Sequence, residues 1–548
     1  MSRCLVRLVL SVALLATAAL APPPAAAASC EDLKFLVLPD TTITLADSVP
    51  AGSFDPPGPT PPITNLPAFC RVSLTVAPQI NVEVWLPAEN WNQRFQAVGG
   101  GGYAGVISWA ALGDALRNGY ATASTDTGHD ATVTPGGSFA LHPNGTLNWQ
   151  LITDFASRSL HEMTVKAKGL IRAFYGEAPQ YSYWIGCSTG GRQGLMEAQR
   201  FPGDYNGILS GAPAINWDRF IPAELWPQIV MKQVVGQPIA ACKFTTVNNA
   251  ALAACDGLDG VVDGVLDDPR RCDFDPQVLQ CAPGATPDCN CLTAGEVEAV
   301  RKIWDGARGT DGQRLWYGLE PTTSFAGLAG PLPFAIALDH FRYWLERNPT
   351  FDWHTLDYAR FEADFKQSIA LFNDVIGTDN PDLSGFRDSG GKVLIWHGWI
   401  DQLIFPRGTI DYYKRVLAAM GRPKRVNAFA RLFMAPGVAH CRTGPGPNAF
   451  GQGGPFSTPL KADAEHDMFR ALVRWVEEGI APDRIIATKY VSDDPAQGVA
   501  RTRPLCVYPK VARYKGKGST DDAANFRCVK PRGHKRDHDH GFDDRDDD

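Results

Sequence analysis

Alternating apolar and polar residues early in the chain predict a pair of β-strands. The runs R-V-S-L-T-V-A at 71–77 and I-N-V-E-V-W-L at 80–86 place apolar side chains at every second position, the period of a strand with one buried face. Three shorter apolar runs predict further strands, and two segments with helical spacing predict helices. This succession of strands and helices favours an α/β sheet domain. The shorter strands are 95–98, 120–124 and 181–185, and the helices are 160–174 and 192–200.

The pattern stops near residue 214 and resumes near residue 390. The segment 214–389 is rich in aromatic residues, Pro and Gly, contains six cysteines and has no regular alternation of strands and helices. We therefore expect an inserted domain at 214–389 within a discontinuous α/β domain formed by 29–213 and 390–530. The second part of that domain is predicted to contain the strands 392–396 and 430–434 and the helices 409–420 and 464–478.

The N-terminal residues have the organisation of a secretory signal peptide. Arg3 and Arg7 precede an apolar run at 8–20, and small residues lead up to Ser29, so the sequence predicts a signal peptide at 1–28. The apolar run is too short to span a membrane, and no later segment reaches the ~18 apolar residues that a spanning helix needs. We expect a secreted or periplasmic protein with no membrane association after cleavage.

Cysteine content and charge agree with this location. Thirteen cysteines are many for a cytosolic protein, and the predicted cleavage removes Cys4 and leaves twelve, which can all pair. The formal net charge of −7 gives no general electrostatic support for nucleic acid binding. The segment 531–548 is rich in His and Asp and poor in apolar residues, so it predicts a disordered tail, with weak metal binding as the alternative.

Ser188 is the only serine of the chain with glycine both two residues before and two residues after it. Its segment, G-C-S-T-G at 186–190, follows a predicted strand and precedes a predicted helix. A strand–turn–helix elbow of this kind lifts the serine hydroxyl above a sheet and needs small neighbours. The sequence therefore predicts Ser188 as a nucleophile, and the alternative is a glycine turn without chemistry.

A serine nucleophile needs a base, and the base needs an acid that orients it. Asp401 lies just beyond the predicted strand 392–396, and His440 lies on a Gly- and Pro-containing loop after the next strand. The order Ser, Asp, His is that of α/β-hydrolases. His397 and His129 are competing bases. We expect His397 to pack at a strand end, whereas His129 precedes the serine, which is the wrong order, although it could line a pocket.

Two cysteines adjoin these candidates. Cys187 directly precedes Ser188, and Cys441 directly follows His440. A disulfide holds its Cα atoms ~4.4–6.8 Å apart, so a bond between these cysteines would hold the serine and the histidine close together. The alternative is that both cysteines pair elsewhere.

Acyl transfer also needs amide groups that stabilise an oxyanion. The amide of Thr189, directly after the serine, is one predicted donor. The other is expected in the glycine run 99–102, at Gly100 and Gly101, because this run follows a strand and has no Cβ atoms to hinder a substrate. A flexible turn is the alternative.

The segment between Cys255 and Cys272 contains several aspartates separated by glycines. Such a segment can surround a hard cation with carboxylate and carbonyl oxygens, and calcium fits best. The loop is not an EF-hand, because Val261 and Arg270 stand where that motif needs an acid. No sequence feature connects the loop to Ser188, so we expect a structural calcium site, with an exposed acidic turn as the alternative. The predicted ligands are the side chains of Asp256, Asp259 and Asp263 and the carbonyl oxygens of Val261 and Val265.

Together these features resemble the tannase and feruloyl esterase family. The resemblance covers most of the chain, from about Cys30 to Cys528, and the Cys-Ser and His-Cys dipeptides are highly specific to it. The segments that carry it are G-C-S-T-G-G at 186–191, H-G-W-I-D at 397–401, H-C at 440–441 and C-D-G-L-D-G at 255–260.

The resemblance implies an α/β-hydrolase domain with a large lid that holds the calcium loop. It implies Ser188 as nucleophile, His440 as base and Asp401 as orienting acid, with a Cys187–Cys441 disulfide beneath them. Members act on esters of hydroxylated aromatic acids, such as ferulate or gallate esters, and one relative cleaves a terephthalate monoester. The resemblance also implies the disulfides Cys30–Cys70, Cys255–Cys272, Cys281–Cys289 and Cys506–Cys528, which leaves Cys242 with Cys291.

We therefore expect a secreted serine esterase whose substrates are small aromatic esters, including esters attached to plant polysaccharide or polyphenol. An acyltransferase or peptidase with the same triad is one alternative, and a non-catalytic, disulfide-rich calcium-binding surface protein is another. Most lid aromatics are expected in the core, and some are expected to stack on the substrate ring. The candidates are Trp217, Trp226, Trp316, Phe334, Trp344 and Trp353.

Overall fold

The computed structural model describes residues 28–454 and 456–531. The predicted signal peptide (1–28) and the predicted tail (531–548) lie outside the described residues, apart from Ala28 and Pro531.

Strands and helices alternate through much of the described chain. The strands are β1 (Thr41–Val49), β2 (Gly52–Phe54), β3 (Ile63–Leu66), β4 (Phe69–Val76), β5 (Ile80–Pro87), β6 (Arg94–Val98), β7 (Ala121–Thr125), β8 (Tyr181–Cys187), β9 (Gly207–Gly211), β10 (Lys392–Gly398), β11 (Ala430–Ala435), β12 (Arg484–Tyr490), β13 (Val499–Cys506), β14 (Val511–Tyr514) and β15 (Phe526–Val529). The α-helices are α1 (Trp109–Arg117), α2 (Trp149–Thr153), α3 (Ser159–Tyr175), α4 (Thr189–Arg200), α5 (Trp217–Ala223), α6 (Trp226–Val230), α7 (Ala241–Cys255), α8 (Ala294–Asp305), α9 (Ala335–Asp339), α10 (Tyr358–Ile376), α11 (Ser384–Asp388), α12 (Pro406–Met420), α13 (Pro423–Val426) and α14 (Met468–Glu478).

Nine of the strands form one sheet in the order β1-β4-β5-β7-β6-β8-β9-β10-β11. The pairs from β1 to β7 are antiparallel, and the pairs from β7 to β11 are parallel. Because parallel strands point the same way, the carboxyl ends of β8, β10 and β11 lie at one edge of the sheet. This confirms the predicted α/β core.

Both faces of the parallel part of the sheet are covered. In β10, Val393 and Ile395 belong to one apolar core cluster together with residues of α3 and α12. The alternate residues Leu394 and Trp396 belong to a second cluster, together with residues of α14. A strand that is buried on both faces has a nearly continuous apolar run instead of an alternating one.

The sequence pattern does not predict β1 or β9, and it places three helix starts wrongly. Helix α4 starts at Thr189 and not at 192, directly after the turn at Ser188. The β9 segment G-I-L-S-G is short and wholly buried, so its periodicity does not distinguish a strand from a helix. Helix α14 starts at Met468 and not at 464, because the Asp467 side chain caps it by accepting a hydrogen bond from the Arg470 amide. Helix α12 starts at Pro406 and not at 409, since Pro suits the first turn of a helix.

The segment between β9 and β10, all of it described, contains no strand and includes the predicted inserted domain at 214–389. Helices α5 to α10 enclose a core rich in aromatic side chains, which we call the lid core and which also includes Tyr103, Phe139 and Phe155. Four of the six named lid aromatics are buried in it, and the other two are partly buried against it. The buried four are Trp217, Trp226, Trp316 and Trp344, and the other two are Phe334 and Trp353.

Six disulfides join the cysteines from Cys30 to Cys528. The pairs Cys281–Cys289 and Cys242–Cys291 implied by the resemblance are wrong, because the structure joins Cys242 to Cys289 and Cys281 to Cys291. Helix α7 places Cys242 next to Cys289. On the same helix, the Thr246 hydroxyl donates to the Cys289 carbonyl at 2.7 Å. The Cys281 amide donates to the Leu292 carbonyl at 2.9 Å, and this contact brings Cys281 beside Cys291. The confirmed pairs are Cys30–Cys70, Cys187–Cys441, Cys255–Cys272 and Cys506–Cys528.

In the part of the chain that the structure describes, no helix is both long enough and apolar enough to cross a membrane.

A buried carboxylate joins the lid to helix α12. The Arg407 guanidinium donates to the two carboxylate oxygens of Glu320 at 2.5 and 2.8 Å, and Glu320 is buried. Removing one partner of a buried pair leaves the other charge without compensation.

We predict that Glu320→Ala lowers the free energy of unfolding by about 2 kcal/mol, measured by chemical denaturation. A fully buried pair would cost ~3–5 kcal/mol, but the Arg407 side chain is 34% exposed and water can partly solvate it. The control is Glu298→Ala, which removes an exposed partner 3.7 Å from Lys302 and should have little effect. Equal effects of the two substitutions would contradict this account.

Candidate active site

Ser188 occupies a strained turn between a strand and a helix. Strand β8 ends at Cys187 and α4 begins at Thr189, with Ser188 at φ 64° and ψ −126°. A non-glycine residue is rare in this region and needs support from its surroundings. The support requires glycine neighbours, because a Cβ on Gly186 would lie 2.5 Å from the backbone of Gly190. The predicted strand–turn–helix elbow is confirmed.

Asp401 and His440 meet above neighbouring strands, in the loops that follow β10 and β11. The distance from His440 Nδ1 to Asp401 Oδ2 is 2.8 Å. The other carboxylate oxygen accepts from the amides of Leu403 and Ile404, each at 2.9 Å. Burial would raise the pKa of Asp401, but the charge of His440 and hydrogen bonds from both His397 and His440 hold it well below its usual range.

His397 is buried and contacts the same carboxylate from the other side. Its Nε2 lies 3.1 Å from Asp401 Oδ2 and 3.1 Å from the Ile404 carbonyl oxygen. Both neighbours are acceptors, so we assign the proton to Nε2. Its Nδ1 lies 2.8 Å from the Thr409 hydroxyl, which then acts as the donor. The packed position expected for His397 at a strand end is confirmed, and its contact with Asp401 was not foreseen from the sequence.

His129 is buried against aromatic side chains. Its ring stacks on Phe139 with centroids 4.0 Å apart, and its Nδ1 lies 3.5 Å from the Thr127 hydroxyl. Burial lowers the pKa of His129 to about 4. A histidine in this state is neutral at physiological pH.

The disulfide between Cys187 and Cys441 places the serine elbow beside the histidine loop. Its Cα atoms are 5.9 Å apart, so Ser188 and His440, each adjacent to one cysteine, are held close together. The side chain of Gln402 also holds the loop, because its oxygen accepts from the His440 amide at 3.1 Å.

The glycine run lies directly against the elbow. The Thr189 hydroxyl donates to the Gly102 carbonyl at 2.6 Å, and the Thr189 amide is at the N-terminus of α4, where helix amides have no intrahelical acceptor. The Gly100 amide donates to the Gln193 side-chain oxygen at 2.9 Å. The prediction of Gly100 as an oxyanion donor is therefore not supported, because its N–H group is already engaged. Gly101 remains the candidate of the pair.

The aspartate loop in the lid is held by internal hydrogen bonds. Asp256 accepts from the amides of Asp263 and Gly264 at 3.0–3.2 Å. Asp263 contacts the guanidinium groups of Arg503 at 2.5 Å and Arg501 at 3.2 Å. Across the described residues, no group of three His, Cys, Asp or Glu side chains has the arrangement of a metal site. A cation here would have to replace some of these contacts.

The charge of the loop nevertheless suits a cation. Burial and the nearby charge of Asp263 raise the pKa of Asp259 to about 6, although the Val261 amide opposes this. Burial and the negative charge of Asp259 raise the pKa of Asp267 well above its usual range. A hard divalent cation would relieve this repulsion, and carboxylate and carbonyl oxygens are the donors that it prefers. Asp267 was not foreseen from the sequence, although it belongs to the same acidic run.

The loop also contacts the proposed catalytic loops, which the sequence did not indicate. Val265 and Pro436 line one small cavity, and a Cβ on Gly437 would lie 3.0 Å from the Val265 side chain. The guanidinium of Arg270 lies 5.0 Å from the ring centroid of Trp399, two residues before the catalytic-acid candidate. The histidine loop and the acid loop therefore both rest on the lid.

Comparisons with known proteins identify relatives of this chain. The family model described as tannase and feruloyl esterase matches residues 65–529. An uncharacterised esterase of Xanthomonas campestris pv. campestris is 40% identical over 560 residues, covering 95% of this chain and 94% of its own. A probable feruloyl esterase of Arthroderma benhamiae is 40% identical over 497 residues, covering 87% and 88%. The crystal structure of feruloyl esterase B from Aspergillus oryzae superposes with a TM-score of 0.81 at 32% identity, covering 91% of this chain and 99% of that one. The chain belongs to the tannase and feruloyl esterase family and is a carboxylic ester hydrolase of that type.

Proposed function

We propose that this chain is an exported serine esterase that hydrolyses esters of aromatic acids through an acyl-enzyme on Ser188. The observation that carries the proposal is the covalent tie between the serine elbow and the loop of His440, whose Nδ1 lies 2.8 Å from Asp401. Strain at the serine, a paired histidine and a buried carboxylate are the requirements of a Ser-His-Asp triad.

Each residue has one role in the reaction. His440 Nε2 accepts the Ser188 hydroxyl proton while Oγ bonds to the ester carbonyl carbon. The tetrahedral intermediate then expels the alcohol, which receives that proton. Water attacks the acyl-enzyme with His440 again as base, and the acid leaves. Asp401 holds Nδ1–H and stabilises the imidazolium, and its low pKa keeps it ionised throughout.

The oxyanion is assigned to two backbone amides. Thr189 supplies one from the N-terminus of α4, where the helix dipole also favours negative charge. Gly101 supplies the other from the glycine run against the elbow. Its lack of a Cβ leaves room for the ester, since no atom lies within 4 Å of the position that a Cβ would take.

The acyl group is proposed to be an aromatic acid. The names of the relatives, feruloyl esterases above all, support this class. The aromatic side chains around Tyr103 supply stacking surfaces close to the glycine run. Substrates attached to plant polysaccharide or polyphenol belong to the same proposal. Six disulfides support a working place in an oxidising compartment outside the cytosol.

We predict that the parent protein hydrolyses methyl ferulate, methyl gallate or a small nitrophenyl ester. We predict further that Ser188→Ala lowers kcat by at least ~10³-fold, because the nucleophile is lost. Product release measured by chromatography checks this. Activity that survives in Ser188→Ala contradicts the proposed nucleophile. No activity of the parent on any ester would favour a binding protein, and preferential transfer to an added alcohol or cleavage of an amide would favour the acyltransferase or the peptidase.

We predict that Cys187→Ala with Cys441→Ala lowers kcat by at least ~10-fold and changes KM much less. The substitution removes the tie between nucleophile and base, and a displacement of about 1 Å can cost ~100-fold in rate. Steady-state kinetics on one aromatic ester checks this, with thermal melting to establish folding. The matched control is the double variant Cys281→Ala with Cys291→Ala. It removes a disulfide that is adjacent to neither Ser188 nor His440. Unchanged kcat in the first variant would contradict the bracing role.

We also propose that the aspartate loop binds a structural calcium ion through Asp256, Asp259, Asp263 and the carbonyls of Val261 and Val265. The raised pKa of Asp259 and the acidic surroundings support it. Bound calcium would supply only charge neutralisation in the lid and takes no part in the ester chemistry.

We predict that a calcium chelator lowers the melting temperature and that added calcium restores it, because an ion that binds only the folded state stabilises it. Differential scanning calorimetry and elemental analysis check this. Asp259→Asn should lose the response to chelator. Purified protein without calcium, with a melting temperature that calcium does not move, would contradict the site.

A further inference from the structure

A buried lid carboxylate near the proposed triad has no role in the mechanism above. Glu224 directly follows α5, is 1% exposed, and its Oε2 has no hydrogen-bond partner among the described residues. Leaving a buried polar atom unpaired costs about 1–3 kcal/mol, and more for a charged group. Such a group calls for an explanation, and binding of a ligand is one.

Glu224 ends a segment that begins at the serine elbow. The connection from β9 to α5 crosses the serine elbow, and the Ala214 amide donates to the Ser188 carbonyl at 3.0 Å. Burial and then the repulsion of Asp401 raise the pKa of Glu224 well above its usual range. Tyr103, which follows the glycine run, also feels the charge of Glu224. The carboxyl group of Glu224 is therefore within electrostatic range of Asp401 and of the Tyr103 hydroxyl.

A second unpartnered polar atom lies on the same side of α5. Trp217 precedes Glu224 by seven residues, which is two helical turns, so the two side chains project from one face. The Trp217 Nε1 also has no partner among the described residues, and its ring packs edge-on against Tyr103 at 5.5 Å between centroids. The face thus carries a donor and an acceptor roughly 10 Å apart along the helix. Phe220 and Ile221 lie between them.

We propose that Glu224 is a specificity-determining residue that hydrogen-bonds a hydroxyl group of the ester substrate. This inference rests on the proposed esterase function and deepens it. A hydroxyl group suits the site because it donates to an ionised carboxyl group and accepts from a protonated one. A site built to pair with a hydroxyl rejects the analogue that lacks it, since its own buried group is then left unpaired.

The hydroxyl has two chemical sources, the aromatic acid and the alcohol, and two substrate pairs separate them. Methyl 4-hydroxycinnamate and methyl cinnamate differ only in a phenolic hydroxyl. 2-Hydroxyethyl cinnamate and ethyl cinnamate differ only in a hydroxyl on the alcohol. The measurement is the ratio of kcat/KM within each pair, for the parent, Glu224→Gln and Glu224→Met.

We predict that the parent prefers the hydroxylated member of one pair and that Glu224→Met lowers that ratio by about tenfold or more. The ratio of the other pair should stay unchanged. Glu224→Gln keeps a polar group of the same shape and should lower the ratio by less, about threefold. If Glu224→Met fails to fold, Glu224→Gln decides alone.

The matched controls are the two single variants Glu197→Gln and Glu197→Met. Glu197 is another fully buried glutamate, and burial together with the neighbouring Asp204 carboxyl raises its pKa well above its usual range. Its variants should change stability and leave both ratios unchanged.

Two outcomes would overturn the proposal. If the kcat/KM ratios are unchanged in the Glu224 variants, the carboxyl group does not recognise a substrate hydroxyl. An equal loss of kcat/KM on all four esters would mean that it supports Asp401 and does not select the substrate. Failure of the esterase proposal is distinguishable from failure of the Glu224 proposal. In that case the parent would hydrolyse none of the four esters, or Ser188→Ala would remain active.

Discussion

The disulfide between Cys187 and Cys441 is the constraint on which the geometry of the site depends. Strands β8 and β11 are separated in the sheet by β9 and β10, so their ends are about 14 Å apart at ~4.8 Å per strand. The loop after β11 must therefore reach back across two strands before a histidine on it can meet Ser188. The bond fixes the two Cα atoms at 5.9 Å and limits the freedom of that loop. The strained serine turn, supported by Gly186 and Gly190, supplies the other fixed end.

The pKa values of the buried carboxyl groups of Asp401 and Glu224 are shifted in opposite directions, and the neighbours of each group explain the difference. Asp401 has two histidines and two backbone amides around it, and these lower its pKa despite burial. Glu224 is buried and is repelled by the negative charge of Asp401, and both effects raise its pKa. Similar burial thus gives one permanently charged group and one that is readily protonated. The first suits the orientation of a base, and the second suits recognition of a neutral polar group.

The inserted segment 214–389 supports the loops that carry Asp401 and His440. Arg270 packs on Trp399, which precedes Asp401 by two residues, and Val265 packs against Gly437 in the histidine loop. Arg501 and Arg503 of β13 hold Asp263 from the catalytic domain. No sequence feature connects the aspartate loop with the serine, because these contacts join residues that are far apart along the chain.

The sequence by itself determined the local elements and the candidate chemistry. Period-two runs gave β4 and β5, and the spacing of glycines around Ser188 gave the elbow, because both depend on interactions between residues close in the chain. The adjacency of Cys187 and Cys441 to Ser188 and His440 favoured their pairing, and the resemblance to the family implied it. Only the tertiary structure decided the partners of Cys242 and Cys281, the engagement of the Gly100 amide by Gln193, and the burial of an unpaired Glu224 Oε2. Each of these depends on which side chain another element brings within a few ångströms, and no periodicity along the chain carries that information.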